Sequence, residues 1–158
     1  MDSLPLHPAL VHVPLGLAML LPLLAAGFAW VIWTGRAHVH VWLTIVALQA
    51  LLVGAGYVSI RTGEAEEDKV ETVVQKSFIH EHEARADQFV WAASATLALA
   101  VLVLVVKKQS VAGSLIAVVV VATLVVAGLA IRTGLAGGEL VYVHGAASAY
   151  TSPRGVTR

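Results

Sequence analysis

The stretch QSVAGSLIAVVVVATLVVAGLAI, residues 109–131, contains 23 residues and no Lys, Arg, Asp or Glu. A helix needs about 20 apolar residues to cross the hydrocarbon core of a membrane. Backbone polar groups must be satisfied within such a segment, which favours a helix. Residues 13–33, 41–60 and 88–106 are similar uncharged runs. The sequence therefore predicts an all-α membrane protein with four transmembrane helices.

The overall composition agrees with this prediction. Of 158 residues, 58% are hydrophobic and 13% are charged, whereas about a quarter of the residues in a soluble domain are charged. The absence of cysteine excludes disulfides and iron–sulfur clusters within this chain. The net charge is zero and no basic stripe is present, which argues against a nucleic-acid partner. Membrane lipid is the expected surrounding.

The segments are assigned to one domain. The spans are predicted at about 9–33, 40–61, 86–106 and 110–132, with an extramembrane helix at about 64–85 and a C-terminal tail at 135–158. Glycine commonly ends a helix, so Gly63 is expected to cap the second helix, and Gly134, Gly137 and Gly138 to end the fourth. Apolar residues spaced by four indicate the extramembrane helix.

An internal repeat divides the chain into two hairpins. The sequence IRTG occurs at 60–63 and again at 131–134, an offset of 71. His12 and His82 are related by nearly the same offset, 70. Parallel repeats imply a pseudo-two-fold axis along the membrane normal. We therefore expect a four-helix bundle made of two pseudo-symmetric hairpins.

The repeat predicts a haem site. His12 and His82 would lie on diagonal helices of the bundle, where side chains of facing helices build cofactor sites and imidazoles ligate haem iron. Arg61 and Arg132 would hold the propionates, because a guanidinium pairs with a carboxylate through two hydrogen bonds. Small residues would leave room for the flat ligand: Gly16, Gly54 and Gly128.

Two alternatives remain open. Other nitrogen and oxygen donors lie on the same side of the membrane and serve as fallback ligands: His7, His80, His144, Glu64 and Glu67. Such donors suit a zinc, copper or iron ion, which would make the chain a non-haem metal-binding protein. The arginines can also simply extend to the membrane interface. In that case the chain would be a structural or assembly subunit without a cofactor.

Four motifs give the chain a family resemblance. HPALVHVPLGL at 7–17, RTGEAEE at 61–67, HEHEARAD at 80–87 and GGELVYVHG at 137–145 resemble an uncharacterised bacterial family of four-helix integral membrane proteins. Its members carry His-Pro-x-x-x-His-x-Pro-x-Gly near the start. The resemblance implies the architecture and not an activity. By analogy, the arrangement is similar to small membrane b-type cytochromes.

These features predict an electron carrier rather than a stand-alone enzyme. Two axial histidines leave no open position on a haem iron, which favours electron transfer with a quinone or a redox protein. A homo-oligomer is also expected to be possible. All ten acidic residues lie on the side of the histidine motifs and the termini, and the opposite turns are acid-free. We therefore expect a multi-pass protein of the bacterial inner membrane with the histidine side outward, although seven of ten basic residues also lie on that side.

Overall fold

A computed structural model describes residues 5–151 as an all-helical chain, without a strand in that range. Four of the helices are long and apolar enough to cross a membrane, in agreement with the prediction of an all-α chain with four such helices. The elements are α1 (His7–Leu10), α2 (His12–Trp33), a 3-10 helix (Val39–Trp42), α3 (Leu43–Val70), α4 (Lys76–Val105), α5 (Gln109–Tyr142) and α6 (Ser148–Thr151).

The four long helices form a bundle whose successive members run in opposite directions. α2 packs against α3 and α5, and α4 packs against the same two helices. α2 and α4 are consequently diagonal partners, as expected for the first and third spans. We call the end of the bundle that carries His7, Gly63, His82 and Gly137 the histidine end. At the other end Trp33 of α2 packs against Gly113 of α5: the indole nitrogen lies 3.7 Å from the point where a Cβ atom on Gly113 would be.

Many buried positions of the bundle are alanine, although large side chains such as Trp42 and Leu52 are also fully buried. Fully buried positions include Ala18, Ala25, Ala93, Ala100 and Ala130, and alanine lets helix backbones approach closely. Large apolar side chains cover the outer surface; Leu23 is 73% exposed and Trp91 is 77% exposed. Exposed apolar area of this extent is unfavourable in water and suits contact with lipid.

Two long helices continue past the glycines that were predicted to end them. α3 passes through Gly63 to Val70, and α5 passes through Gly134, Gly137 and Gly138 to Tyr142. Helix-ending glycine needs a positive φ angle, and among the described residues only Gly35 and Gly145 have one. The glycines inside α3 and α5 thus retain helical geometry.

The helical segment predicted at 64–85, running into the third span, is divided between two helices. α3 includes residues 64–70, a turn follows at 71–75, and α4 begins at Lys76. The segment is therefore the tip of one helical hairpin. Apolar contacts at this tip involve Val74 and Ile79, which are buried against Ala146 of the C-terminal segment.

The C-terminal segment folds back over the histidine end. The ring of His144 stacks on that of Phe78 at 3.7 Å between centroids, with 16° between the planes. α6 follows after the turn at Gly145. The remainder of the predicted tail, 152–158, lies outside the described residues, as does Asp2.

Candidate functional site

Two imidazoles meet inside the histidine end of the bundle. The ring centroids of His7 and His82 are 6.3 Å apart and their planes are inclined by 84°. His7 is the first residue of α1, which packs on α2 and α3, whereas His82 lies in α4. Both side chains are half-buried. The pair thus joins the first hairpin to the second across the bundle.

The ring of His7 is held in place by α3. Its Nδ1 atom lies 2.9 Å from the carbonyl oxygen of Ser59 and 3.3 Å from Oγ1 of Thr62. Because a carbonyl oxygen only accepts hydrogen bonds, Nδ1 must carry the proton. In the neutral ring Nε2 is then the unprotonated nitrogen. This is the arrangement that protein hydrogen bonds impose on metal-binding histidines.

Gly63 leaves the space that the ring of His7 occupies. A Cβ atom at this position would lie 3.2 Å from Cε1 of His7 and 3.4 Å from Nδ1. That separation is closer than ordinary van der Waals contact between carbon atoms. A larger residue at 63 would therefore displace the imidazole.

The surroundings of His82 on α5 are similar. A Cβ atom on Gly137 would lie 3.2 Å from Cε1 of His82, and the backbone of Thr133 lies near the ring. The buried Nδ1 atom of His82 has no hydrogen-bond partner of good geometry among the described residues. Buried polar atoms are normally paired, and the backbone of Thr133 is the nearest candidate partner for this nitrogen.

The two histidine contacts follow a spacing different from that of the IRTG repeat. His7 and His82 are 75 residues apart, and Gly63 and Gly137 are 74 apart. Gly63 lies four residues after Ser59, whose backbone faces the ring of His7. Gly137 lies four residues after Thr133, whose backbone faces the ring of His82. A comparison of the sequence with itself at an offset of 74–75 could have identified Ser59, Gly63 and Gly137. The offset of 71 that the IRTG repeat suggests does not pair these residues.

Several residues that the repeat assigned to the site lie on the outer surface instead. His12 is exposed, and no ring contact or hydrogen bond joins it to His82 within residues 5–151. The side chain of Arg61 is 65% exposed and pairs with Glu64 at 3.0 Å, and Arg132 is exposed as well. The three glycines expected to make room for a ligand also face outward, with open space at the Cβ position: Gly16, Gly54 and Gly128.

Arg61 and Arg132 lie on the outer surface because they are on the opposite side of their helices from the buried residues. The buried residues of α3 recur every three or four positions as far as Ser59, and those of α5 include Ala130. Arg61 and Arg132 each lie two residues further along, about 200° around the helix. The structure therefore does not bring the arginines to the His7–His82 pair.

The fallback ligands occupy four different places. His7 lies against His82, as described above. His144 is stacked on Phe78, and Glu64 is paired with Arg61. Glu67, His80 and Glu83 form the one group of three metal-ligating side chains found in the described part of the chain. His7 and His82 are not members of that group.

The C-terminal segment is tied to the same end through Glu66. The hydroxyl of Tyr150 donates a hydrogen bond of 2.9 Å to Oε2 of Glu66, while Oε1 accepts one of 3.4 Å from the backbone N–H of His7. Lys69 lies over the ring of Tyr150 at 4.4 Å. Burial, and then the hydrogen bond to Glu66 and its negative charge, raise the pKa of Tyr150 to about 12.

This contact predicts a pH-dependent docking of the C-terminal segment. An unfolded tyrosine titrates near pH 10, so the contact contributes stability below about pH 10 that is lost as the pH rises towards 12. The difference in tyrosinate absorbance between the native protein and its Tyr150→Phe variant should have a midpoint near pH 12. Glu66→Gln removes the carboxylate charge and should lower that midpoint. A native midpoint at pH 10 would contradict the contact.

Comparison with known proteins adds no assignment. Neither a family model, nor a curated protein, nor a solved structure matches this chain. The resemblance described from the four motifs stays a prediction, and the function is argued from the site alone.

Proposed function

We propose that this chain is a small membrane cytochrome that holds one b-type haem between His7 and His82. The observation that carries the proposal is the placement of these two imidazoles. They belong to different hairpins, lie inside one end of the bundle, and have centroids 6.3 Å apart. His7 replaces His12 as the proposed partner of His82.

The separation of the rings suits two axial ligands of one metal. A metal–nitrogen bond of about 2 Å and a ring radius of about 1 Å on each side give a centroid separation of about 6 Å. The inclination of 84° between the planes is compatible with axial ligation, because rotation about the metal–nitrogen bond does not change that distance. Four-helix bundles commonly place cofactors between side chains of facing helices.

The number of protein ligands favours haem over a bare metal ion. Protein zinc sites use three or four protein ligands. The pair has no third ligand nearby, since the one cluster of three donors in residues 5–151 is elsewhere. Two isolated imidazoles fit a cofactor that supplies its own four equatorial nitrogens. The hydrogen bond from His7 to Ser59 would keep Nε2 available for the iron.

The proposed site lies near one end of the bundle. Haem would supply a one-electron redox centre, and two axial histidines favour electron transfer over oxygen activation. A membrane quinone or a neighbouring redox protein is the proposed partner, with the chain in a bacterial inner membrane and its histidine end outward. Arg61 and Arg132 are not part of the proposed site. Arg85, one turn from His82 and half-buried, pairs with Glu81 and is the proposed cation beside the haem.

An absorbance spectrum tests the proposal. The protein purified from membranes in the presence of haem should contain one haem per chain. It should have an intense Soret band and, after reduction with dithionite, sharp visible bands of a low-spin iron. A colourless protein that takes up no haem on reconstitution would overturn the proposal. A high-spin spectrum would equally contradict ligation by two histidines.

A further inference from the structure

A second group of donors lies at the tip of the hairpin formed by α3 and α4. Glu67 is in the last turn of α3, and His80 and Glu83 are in the first turns of α4. One ligand atom from each side chain lies within 4.8 Å of the other two. Nε2 of His80 is 3.8 Å from Oε1 of Glu67. The turn at 71–75 thus brings one imidazole and two carboxylates together.

We propose that these three side chains bind one divalent transition-metal ion, with zinc as the best match. Imidazole nitrogen and carboxylate oxygen are both zinc ligands, and zinc sites with three protein ligands keep a further position for water. The side chain of His80 is 62% exposed, so water has access to the remaining coordination position. The site uses neither His7 nor His82 and is independent of the proposed haem.

The geometry needs only small side-chain movements. Ligand atoms at about 2 Å from a tetrahedral zinc are roughly 3.4 Å apart. The ligand atoms of the three side chains now lie within 4.8 Å of one another. A movement of about 1 Å by each side chain would bring them to the distance that zinc requires. His80 and Glu83 are three residues apart on one helix, which places them on the same face.

The charges around the site are also unbalanced. Three neighbouring carboxylates have a basic partner: Glu64 pairs with Arg61, Glu71 with Lys76 and Glu81 with Arg85. Within residues 5–151, no Lys or Arg forms an ion pair with Glu67 or Glu83. Glu64 and Asp87 lie near enough to Glu83 to repel it. A divalent cation held by these side chains would relieve this repulsion.

Binding of zinc to the full-length protein tests the inference. The protein should carry a purification tag without histidine and should be treated with a chelator before titration with Zn²⁺ in a calorimeter. We expect one tightly bound zinc per chain. His80→Ala and Glu83→Gln should each weaken binding at least about tenfold, because each removes one of three ligands.

Two variants provide the controls. Glu81 lies between His80 and Glu83 in the sequence but pairs with Arg85, so Glu81→Gln should bind zinc like the native protein. His7→Ala should also leave zinc binding unchanged, which separates this site from the proposed haem site. The inference is overturned when the native chain binds no stoichiometric zinc, when His80→Ala binds it equally well, or when Glu81→Gln weakens it as much.

Discussion

Replacing His7 by alanine is expected to abolish the low-spin haem spectrum, and replacing His82 by alanine is expected to do the same. Each change removes one of the two rings that lie 6.3 Å apart, and with it one axial ligand. Loss of a residue that merely orients a metal ligand costs about 10–100-fold in affinity, so loss of a ligand itself should exceed that. The measurement is the haem content per chain, together with the absorbance of the oxidised and reduced protein.

His12→Ala is the matched control for this experiment. His12 is five residues from His7 in the sequence, but its side chain is exposed on the outer surface. This variant should retain one haem per chain with an unchanged spectrum. His7→Met restores a possible axial ligand and should retain haem with altered visible bands. If His12→Ala loses the haem while His7→Ala keeps it, the assignment of His7 is wrong.

Hydropathy was sufficient to predict four helices long and apolar enough to span a membrane. The diagonal position of the first and third followed from the expected four-helix bundle. The uncharged run at 109–131 needs no tertiary information to be identified as a helix, because its length and the lack of hydrogen-bond partners in lipid determine its structure. The ends of α3 and α5 were predicted too early. Gly63 and Gly137 were interpreted as helix caps, whereas they are helical residues that accommodate the rings of His7 and His82.

The direction in which a residue faces was not readable from hydropathy. α2 is apolar around its whole circumference, so no amphipathic pattern distinguishes its inner face from its outer face. The outward position of His12 followed from packing against α3 and α5 and could not be seen in the sequence. The match of IRTG at 60–63 and 131–134 suggested a register of 71. The residues of the two histidine–glycine contacts are related by an offset of 74–75 residues instead.

The offset of 74–75, which pairs Gly63 with Gly137, predicts a large effect of substitutions at these two glycines. Gly63→Val and Gly137→Val should each reduce haem retention at least about tenfold. At both positions a new Cβ would lie only 3.2 Å from Cε1 of the facing histidine, and the two further methyl groups of valine would occupy the space of the ring. The helices themselves should persist, since valine has a higher helix propensity than glycine. Haem content and circular dichroism measure the two effects separately.

The control for Gly63→Val and Gly137→Val is valine at the neighbouring glycines of α5. A Cβ on Gly138 meets nothing within 4 Å, and one on Gly134 meets only Cδ1 of Leu15 at 3.9 Å. Gly134→Val and Gly138→Val should therefore retain haem like the native protein. Under the IRTG register, Gly134 rather than Gly137 is the counterpart of Gly63, and the pattern would be reversed. Valine should be excluded only at the glycine that lies against the ring of His82. Loss of haem in Gly134→Val with retention in Gly137→Val would therefore reject the contact between Gly137 and His82.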